Sequence, residues 1–195
     1  MLITFIRHSK VNFNSSTPIT SWGLTDEGVK LASELAESEV VRNIEMVHSS
    51  LEIKSLETAV IIAKKNGLNI QTDSRFSEIT TFTNRIFPNF EEYAETFFTD
   101  KVERWNSGES KVEALTRFQK ALDECVKIEE GKGRSNIAIV THGAILALFG
   151  AQFTKQPIWE IHKKIKQPDI ALFDTEKQQF LQIQGKVCWW EFIEQ

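Results

Sequence analysis

The chain has few of the features that mark secreted, metal-binding or membrane-spanning proteins. Its only cysteines, Cys125 and Cys188, match no zinc-ligand spacing and no disulfide framework, so reduced thiols are the simplest interpretation. No apolar run approaches the length that crosses a bilayer. Residues 1–8 contain neither a basic leader nor a small-residue cleavage site. These absences predict a soluble, cytoplasmic protein that does not engage a membrane.

An excess of charge of one sign is also lacking. The 23 Lys and Arg residues face 27 Asp and Glu residues, for a formal net charge of -4, which argues against a nucleic-acid or anionic-lipid partner. A length of 195 residues and a hydrophobic fraction of 41% fit one ordinary globular domain. We therefore expect a single domain over residues 1–195. Any anion site in such a chain must gather its cations in one place.

Buried-strand patterns alternate with helical patterns along the chain. Residues 2–6 and 137–140 are almost continuously apolar, which is typical of strands covered on both faces, and residues 46–49 are a weaker candidate. Residues 169–192 indicate two or three further strands, with turns near 176–177 and 184–185. Three helices are predicted. The first is capped by Thr25 and has Leu31, Ala32 and Leu35 on its apolar face. The second has the apolar positions Leu56, Ala59, Val60 and Ala63 and ends at Asn66-Gly67, and the third begins at the capping box of Ser110 and Glu113. The alternation predicts an α/β sandwich.

Two histidines directly follow the two best strand candidates. His8 comes after Arg7 at the end of the first strand, and His142 comes before Gly143 and a short apolar helix over residues 144–149. Ligands of such sheets bind at the carboxyl ends of the strands. If the strands are parallel neighbours, both imidazoles reach the same edge. Arginine matches phosphate oxygens, imidazole is a nucleophile toward phosphorus, and the first amides of a helix favour an anion.

Six short motifs, taken in order, resemble those of the histidine phosphatase superfamily, also called the phosphoglycerate-mutase-like family. The matching segments are Arg7-His8 with Asn14, Leu24-Thr25-Asp26-Glu27-Gly28, Ser49-Ser50-Leu51-Glu52-Ile53-Lys54-Ser55-Leu56-Glu57-Thr58-Ala59, Ser77-Glu78, Gly108-Glu109-Ser110 and Thr141-His142-Gly143. Together they cover nearly the whole chain, and residues 79–107 match least.

The resemblance implies a three-layer α/β/α sandwich with a mostly parallel mixed sheet, and a phosphatase that works through a phosphohistidine. His8 would be the nucleophile, and Glu78 the general acid that later activates water. His142 would bind the same phosphate and stabilise charge during transfer. Arg7 and Asn14 would also hold the phosphate. Neither a metal nor a cofactor is implied, because cationic side chains neutralise the phosphate.

The chain departs from the family pattern at three positions. Lys54 stands in place of an arginine and keeps the charge without the planar fork, so it is either a phosphate ligand or a solvated surface lysine. Arg75 could supply the missing guanidinium. Ser9 replaces a glycine, and either narrows the pocket or donates a hydroxyl to the phosphate. Lys10 could add positive potential. The alternative for Glu78 is an ordinary surface carboxylate.

Residues 79–107 are rich in aromatic side chains and are interpreted as an insertion. They would form a small satellite core or a lid that shapes the substrate site. His48 and His162 fit no motif, so we interpret them as structural or surface residues. The leading functional prediction is hydrolysis of a small phosphorylated metabolite. The alternatives are a phosphoglycerate mutase and a catalytically weak phosphate-binding protein.

Overall fold

A mixed β-sheet forms the centre of the molecule. The computed structural model describes residues 1–14, 16–80 and 90–183. Within these ranges the sheet has six strands: β1 (Leu2–Arg7), β2 (Met46–Ser49), β3 (Ile70–Thr72), β4 (Asn136–Thr141), β5 (Asp169–Asp174) and β6 (Gln179–Leu181). Their order across the sheet is β3-β2-β4-β1-β5-β6.

The two strands that precede the histidines are parallel neighbours. β1 pairs with β4 in parallel, and Arg7 lies opposite Thr141 at the end of the ladder. The backbone N–H of His8 extends this pairing and donates to the Thr141 carbonyl at 2.9 Å. β2 is parallel to both β3 and β4, whereas β5 runs antiparallel to β1 and to β6. The predicted mostly parallel mixed sheet is therefore confirmed.

Helices cover both faces of this sheet. They are α1 (Asp26–Ala36), α2 (Glu39–Arg42), α3 (Ile53–Asn66), α4 (Phe90–Phe98), α5 (Lys111–Gly131), α6 (Gly143–Ala151) and α7 (Ile158–Lys164). The predicted caps are present: the Thr25 side chain accepts from the Gly28 N–H, and Ser110 forms the reciprocal capping box with Glu113. Val60 is an error in the predicted stripe of α3, because its side chain is 45% exposed. None of the helices in the described ranges is both long and apolar enough to cross a membrane.

Alternating residues of the central strands enter two separate cores. Phe5 and Ile139 pack with α5 and α6 on one face, whereas Ile6 and Val140 pack with α1, α2 and α3 on the other. All four side chains are fully buried. Burying one such side chain contributes about 1.5–3 kcal/mol, so the strand ends are held rigidly from both sides.

The aromatic segment is not a separate satellite core. Ile79, Phe97, Phe98 and Trp105 are buried in the same cluster as Phe5. The idea that residues 79–107 act as a lid stays a prediction, and residues 81–89 lie outside the described ranges. In the tail, β5 and β6 flank the predicted turn at residues 176–177, while the predicted turn at residues 184–185 also lies outside them.

Candidate active site

The ends of β1 and β4 place two imidazole rings side by side. The ring centroids of His8 and His142 lie 5.2 Å apart, with an angle of 59° between the ring planes. His8 is 4% exposed and His142 is fully buried. At this separation both rings can contact one phosphate-sized anion. The convergence expected from the parallel strand pairing is therefore present.

His8 is held as a neutral ring with one nitrogen available. Its Nδ1 lies 2.8 Å from the carbonyl oxygen of Ser9, which can only accept, so the ring hydrogen belongs on Nδ1. Nε2 then keeps its lone pair. The pKa of His8 lies well below its ordinary value of 6.5, mainly because the ring is buried. The positive charges of Arg7 and Lys54 and the neighbouring His142 lower it further. A ring in this state would need no prior deprotonation near neutral pH in order to act as a nucleophile.

Arg7 lies against the start of α6. Its Nη1 donates to the carbonyl oxygen of Ile165 at 2.6 Å. A Cβ atom added to Gly143 would come within 2.8 Å of the Arg7 Cζ, so this glycine leaves the space that the guanidinium occupies. Nε of Arg7 is buried and has no hydrogen-bond partner among the described residues. An unsatisfied buried donor is unfavourable, and an anion bound here would remove that penalty.

His142 is fixed through one nitrogen and open at the other. Its Nε2 lies 2.8 Å from the Ser50 hydroxyl oxygen and 3.3 Å from Oε1 of Glu52. Its Nδ1 is buried without a partner in the described part of the chain. Burial, and then the charges of the surrounding cations, hold the pKa of His142 well below 6.5. These two effects favour the neutral form of the ring.

Lys54 is a buried member of the site, which rules out the solvated-surface interpretation. Its side chain is only 4% exposed. Nζ donates to Oε2 of Glu52 at 2.5 Å and to the carbonyl oxygen of Ile19 at 3.0 Å. Sequence reasoning missed Glu52, although the residue lies inside the quoted motif, between a buried strand and α3. Glu52 is therefore the counter-ion of Lys54 within the site.

Glu78 is held by the backbone at the start of α6, so it is not an ordinary surface carboxylate. Its Oε2 accepts from the Ala144 N–H at 3.0 Å, and its Oε1 accepts from the Ile145 N–H at 2.9 Å. The first amides of this helix thus bind Glu78, whereas the sequence analysis assigned them to an external anion. Burial raises the pKa of the Glu78 carboxyl, and the nearby Glu52 raises it further. The hydrogen bonds from the backbone amides lower the pKa, but by less than burial raises it.

Arg117 on α5 supports the loop that carries Glu78, and the sequence analysis missed it. Its Nη1 donates to the carbonyl oxygen of Ser77 at 3.2 Å, and its Nη2 to that of Glu78 at 3.2 Å. Nε of Arg117 donates to Glu109 at 2.7 Å. No local pattern marks this residue, because the loop that it supports lies about 40 positions away in the chain.

Arg75 does not take the place of the missing guanidinium. Its Nη2 pairs with Asp73 at 2.7 Å and its Nη1 with Glu124 at 2.6 Å, near the surface. These two carboxylates raise the pKa of Arg75. The guanidinium is therefore committed outside the site.

Three other predicted residues are engaged elsewhere. The Ser9 hydroxyl donates to the Gly28 carbonyl oxygen at 2.7 Å, so it anchors α1 and is not directed to a phosphate. Nζ of Lys10 pairs with Glu27 at 2.5 Å, which offsets its positive potential. The exposed Asn14 accepts from the backbone N–H of residue 16 at 2.9 Å within a turn. Its contact with a phosphate stays a prediction.

The two remaining histidines have structural surroundings. His48 is buried, and its Nε2 lies 3.5 Å from Oε1 of Glu129. His162 stacks on Trp159 with 5.7 Å between ring centroids, and its centroid lies 5.0 Å from that of Phe98. Burial, followed by the charge of Arg7, lowers the pKa of His162 to about 3. Both residues agree with the interpretation as structural residues.

At the carboxyl-terminal edge of this α/β sheet, two imidazoles, two cations and two buried carboxyl groups lie together, an arrangement that suits a protein that binds phosphate groups. Residues 3–182 match the histidine phosphatase superfamily (branch 1), and the chain belongs to this family.

Similar proteins of known name agree with this family. A probable phosphoglycerate mutase of Escherichia fergusonii is 25% identical over 190 residues, which cover 92% of this chain and 87% of that protein. The solved structure of Bacillus stearothermophilus YhfR superimposes with a TM-score of 0.75 at 20% identity, covering 97% and 99% of the two chains. A mycobacterial glucosyl-3-phosphoglycerate phosphatase gives a TM-score of 0.72 at 18% identity, covering 92% and 94%. At these identities the two solved structures establish the fold.

Proposed function

We propose that the protein is a phosphatase that hydrolyses small phosphomonoesters through a phosphohistidine on His8. The observation that carries the proposal is the state of His8, a neutral ring that is fixed through Nδ1 and keeps the lone pair on Nε2. The ring centroids of His8 and His142 lie 5.2 Å apart. Arg7 supplies the adjacent guanidinium, whose buried Nε has no partner within the described ranges. The phosphatase named among the solved structures of the same fold is consistent with this activity.

In the first step Nε2 of His8 attacks the phosphorus atom, and the bond between phosphorus and the ester oxygen breaks. Arg7 donates hydrogen bonds to the non-bridging oxygens, His142 contacts the same phosphate, and Lys54 adds positive charge. The leaving oxygen takes a proton from the Glu78 carboxyl. Burial raises the pKa of Glu78, which favours the protonated form that this step needs.

In the second step water replaces the histidine. The Glu78 carboxylate accepts a proton from the water as its oxygen bonds to phosphorus. The bond between phosphorus and Nε2 breaks, and the electron pair returns to the His8 ring. Inorganic phosphate leaves, and Glu78 is again protonated.

A phosphoglycerate mutase is the second candidate, because the similar Escherichia fergusonii protein is named as a probable enzyme of this kind. Such an enzyme returns the phosphoryl group to a second hydroxyl of the substrate and not to water. Incubation with monophosphoglycerate and bisphosphoglycerate separates the candidates. Isomerised product without free phosphate would favour the mutase, and free phosphate would favour the phosphatase.

The proposal is tested by detecting the intermediate. Wild-type protein is incubated briefly with an aryl phosphate, and the intact mass is measured under alkaline conditions, where phosphohistidine survives. We expect one phosphoryl group on the wild type and none on His8→Ala. His48→Gln is the matched control, because His48 is also buried but lies against Glu129 outside the site. A wild type that forms no adduct and releases no phosphate across a panel of metabolite phosphates would leave only a phosphate-binding role.

A further inference from the structure

Glu52 is a buried acidic group that contacts His142 and has no part in the proposed reaction. Its side chain is 6% exposed, and it touches three elements of the site at once. Oε1 accepts from the backbone N–H of Glu78 at 2.9 Å and lies 3.3 Å from Nε2 of His142. Oε2 accepts from Lys54 at 2.5 Å. Burying a carboxylate is costly unless it is paired, so these contacts require a reason.

The position of Glu52 decides which nitrogen of His142 carries the hydrogen. An ionised carboxylate only accepts, so the hydrogen belongs on Nε2 and the lone pair on Nδ1. Nδ1 is buried and has no partner among the described residues. A lone pair in that place repels the oxygen of an arriving phosphate. The same nitrogen becomes a donor once it gains a proton.

A protonated His142 would be surrounded mainly by like charges. Lys54 on α3, Arg7 at the end of β1 and Arg117 on α5 all oppose its protonation. Glu52 is the carboxylate that lies against the ring, and Glu78 is the next acidic group of the same site. A carboxylate on the far nitrogen of an imidazole orients the ring and stabilises the imidazolium.

We propose that Glu52 is a positioning residue that acts as the counter-ion of His142, so that binding of a phosphate group drives uptake of a proton onto Nδ1 of His142. The proton comes from solvent, and no other bond changes. Nδ1–H then donates to the phosphate oxygen while Nε2–H faces Glu52 and Ser50. This inference rests on the proposed function only for the place where the phosphate binds, and it does not require turnover.

The test measures proton uptake with inorganic phosphate as the probe. Calorimetric titration at pH 8, where free phosphate is mostly the dianion, is repeated in two buffers of different ionisation enthalpy. We expect the wild type to take up about one proton per phosphate bound, and Glu52→Gln less than half of that. Glu52→Asp keeps the charge and should restore most of the uptake.

Glu129→Gln is a matched control, because Glu129 is also a buried carboxylate that contacts a histidine and a lysine, namely His48 and Lys132. It should take up as many protons as the wild type. A structural role alone would lower the thermal midpoint in both glutamine variants without changing proton uptake in either.

A second measurement covers the case in which Glu52→Gln does not fold. The chain has four histidines, so ring-nitrogen NMR of the wild type, assigned with His142→Gln, reports the protonation of His142 directly. Phosphate should convert its Nδ1 from unprotonated to protonated at pH 8. A ring that stays neutral with phosphate bound, or equal proton uptake by wild type and Glu52→Gln, would overturn the inference. Absence of a His8 adduct would instead refute the phosphatase proposal and leave the proton linkage standing.

Discussion

A single methyl group at Gly143 should disable phosphate binding while leaving the fold intact. In Gly143→Ala the added Cβ would lie 2.8 Å from Cζ and 2.9 Å from Nε of Arg7. Ordinary contacts between carbon atoms are about 3.5–4.0 Å, so the guanidinium must retreat by roughly 0.7 Å or more. Its Nη1 is tied to the Ile165 carbonyl oxygen at 2.6 Å, which resists that movement.

The expected cost falls on activity more than on stability. A displacement of about 1 Å in a group that positions substrate can lower the rate about 100-fold. This factor corresponds to about 2.7 kcal/mol of lost transition-state stabilisation. Overpacking costs about 1–3 kcal/mol of stability, but alanine favours a helix over glycine by up to about 1 kcal/mol. Gly143 is the first residue of α6, so part of the destabilisation is offset.

The assay is kcat/KM for an aryl phosphate, measured beside the thermal midpoint. The matched control is Gly131→Ala at the end of α5, where an added Cβ meets nothing within 4 Å. That variant should keep the wild-type kcat/KM. If Gly143→Ala also kept it, the placement of Arg7 against α6 during the reaction would be wrong.

Three further predictions concern charge and pH. Lys54→Arg should keep or raise activity. Lys54→Ala should lower kcat/KM by a factor that corresponds to about 1.5–3 kcal/mol, the loss of one charge-assisted contact. Equal rates for Lys54→Ala and wild type would place this lysine outside the reaction. Burial raises the pKa of Glu78, so the rate should fall as pH rises through that pKa. Glu78→Gln should remove this fall at high pH and lower kcat about 10²–10⁴-fold. An unchanged pH profile in the variant would assign the general acid to another group. A histidine whose pKa is lowered in the folded state, such as His162 at about 3, contributes stability above pH 6.5 that is lost as pH falls toward the pKa of the folded state. The urea concentration at the unfolding midpoint should therefore be lower at pH 5 than at pH 7.5, and the difference should be smaller in His162→Gln. An identical difference in the variant would contradict the prediction for this residue.

The parts of the fold and site that could be predicted are those encoded locally. The apolar run of β1 and the histidine after it lie within eight residues, and the Thr25 cap needs only the residues of its own helix turn. Parallel pairing of β1 with β4 then brings His142 to His8 without further information. Motif order along the chain was therefore enough to assemble the centre of the site.

The parts that could not be predicted depend on contacts between distant segments. Arg117 reaches the Glu78 loop across 39 positions, and no spacing rule connects them. The Ser9 hydroxyl is directed to α1 because Gly28 brings its carbonyl close, which a substitution pattern alone does not reveal. Glu52 resembles a routine helix-start acid until its burial against His142 is known. The burial of a charged side chain depends on the whole fold. The sequence alone therefore does not show which charged residues are buried at the site.

Charge balance links these residues to the conditions under which the site works. Close to the two imidazoles, the cations Arg7, Lys54 and Arg117 lie near the carboxyl groups of Glu52, Glu78 and Asp169. If the site works as proposed above, protons on His142 and Glu78 accompany the bound phosphate dianion. Acid pH favours those protons but destabilises a fold that keeps its histidines neutral. Bound phosphate removes this conflict, so inorganic phosphate should raise the thermal midpoint more at pH 5.5 than at pH 8. A smaller shift at pH 5.5 would mean that the anion binds without protons.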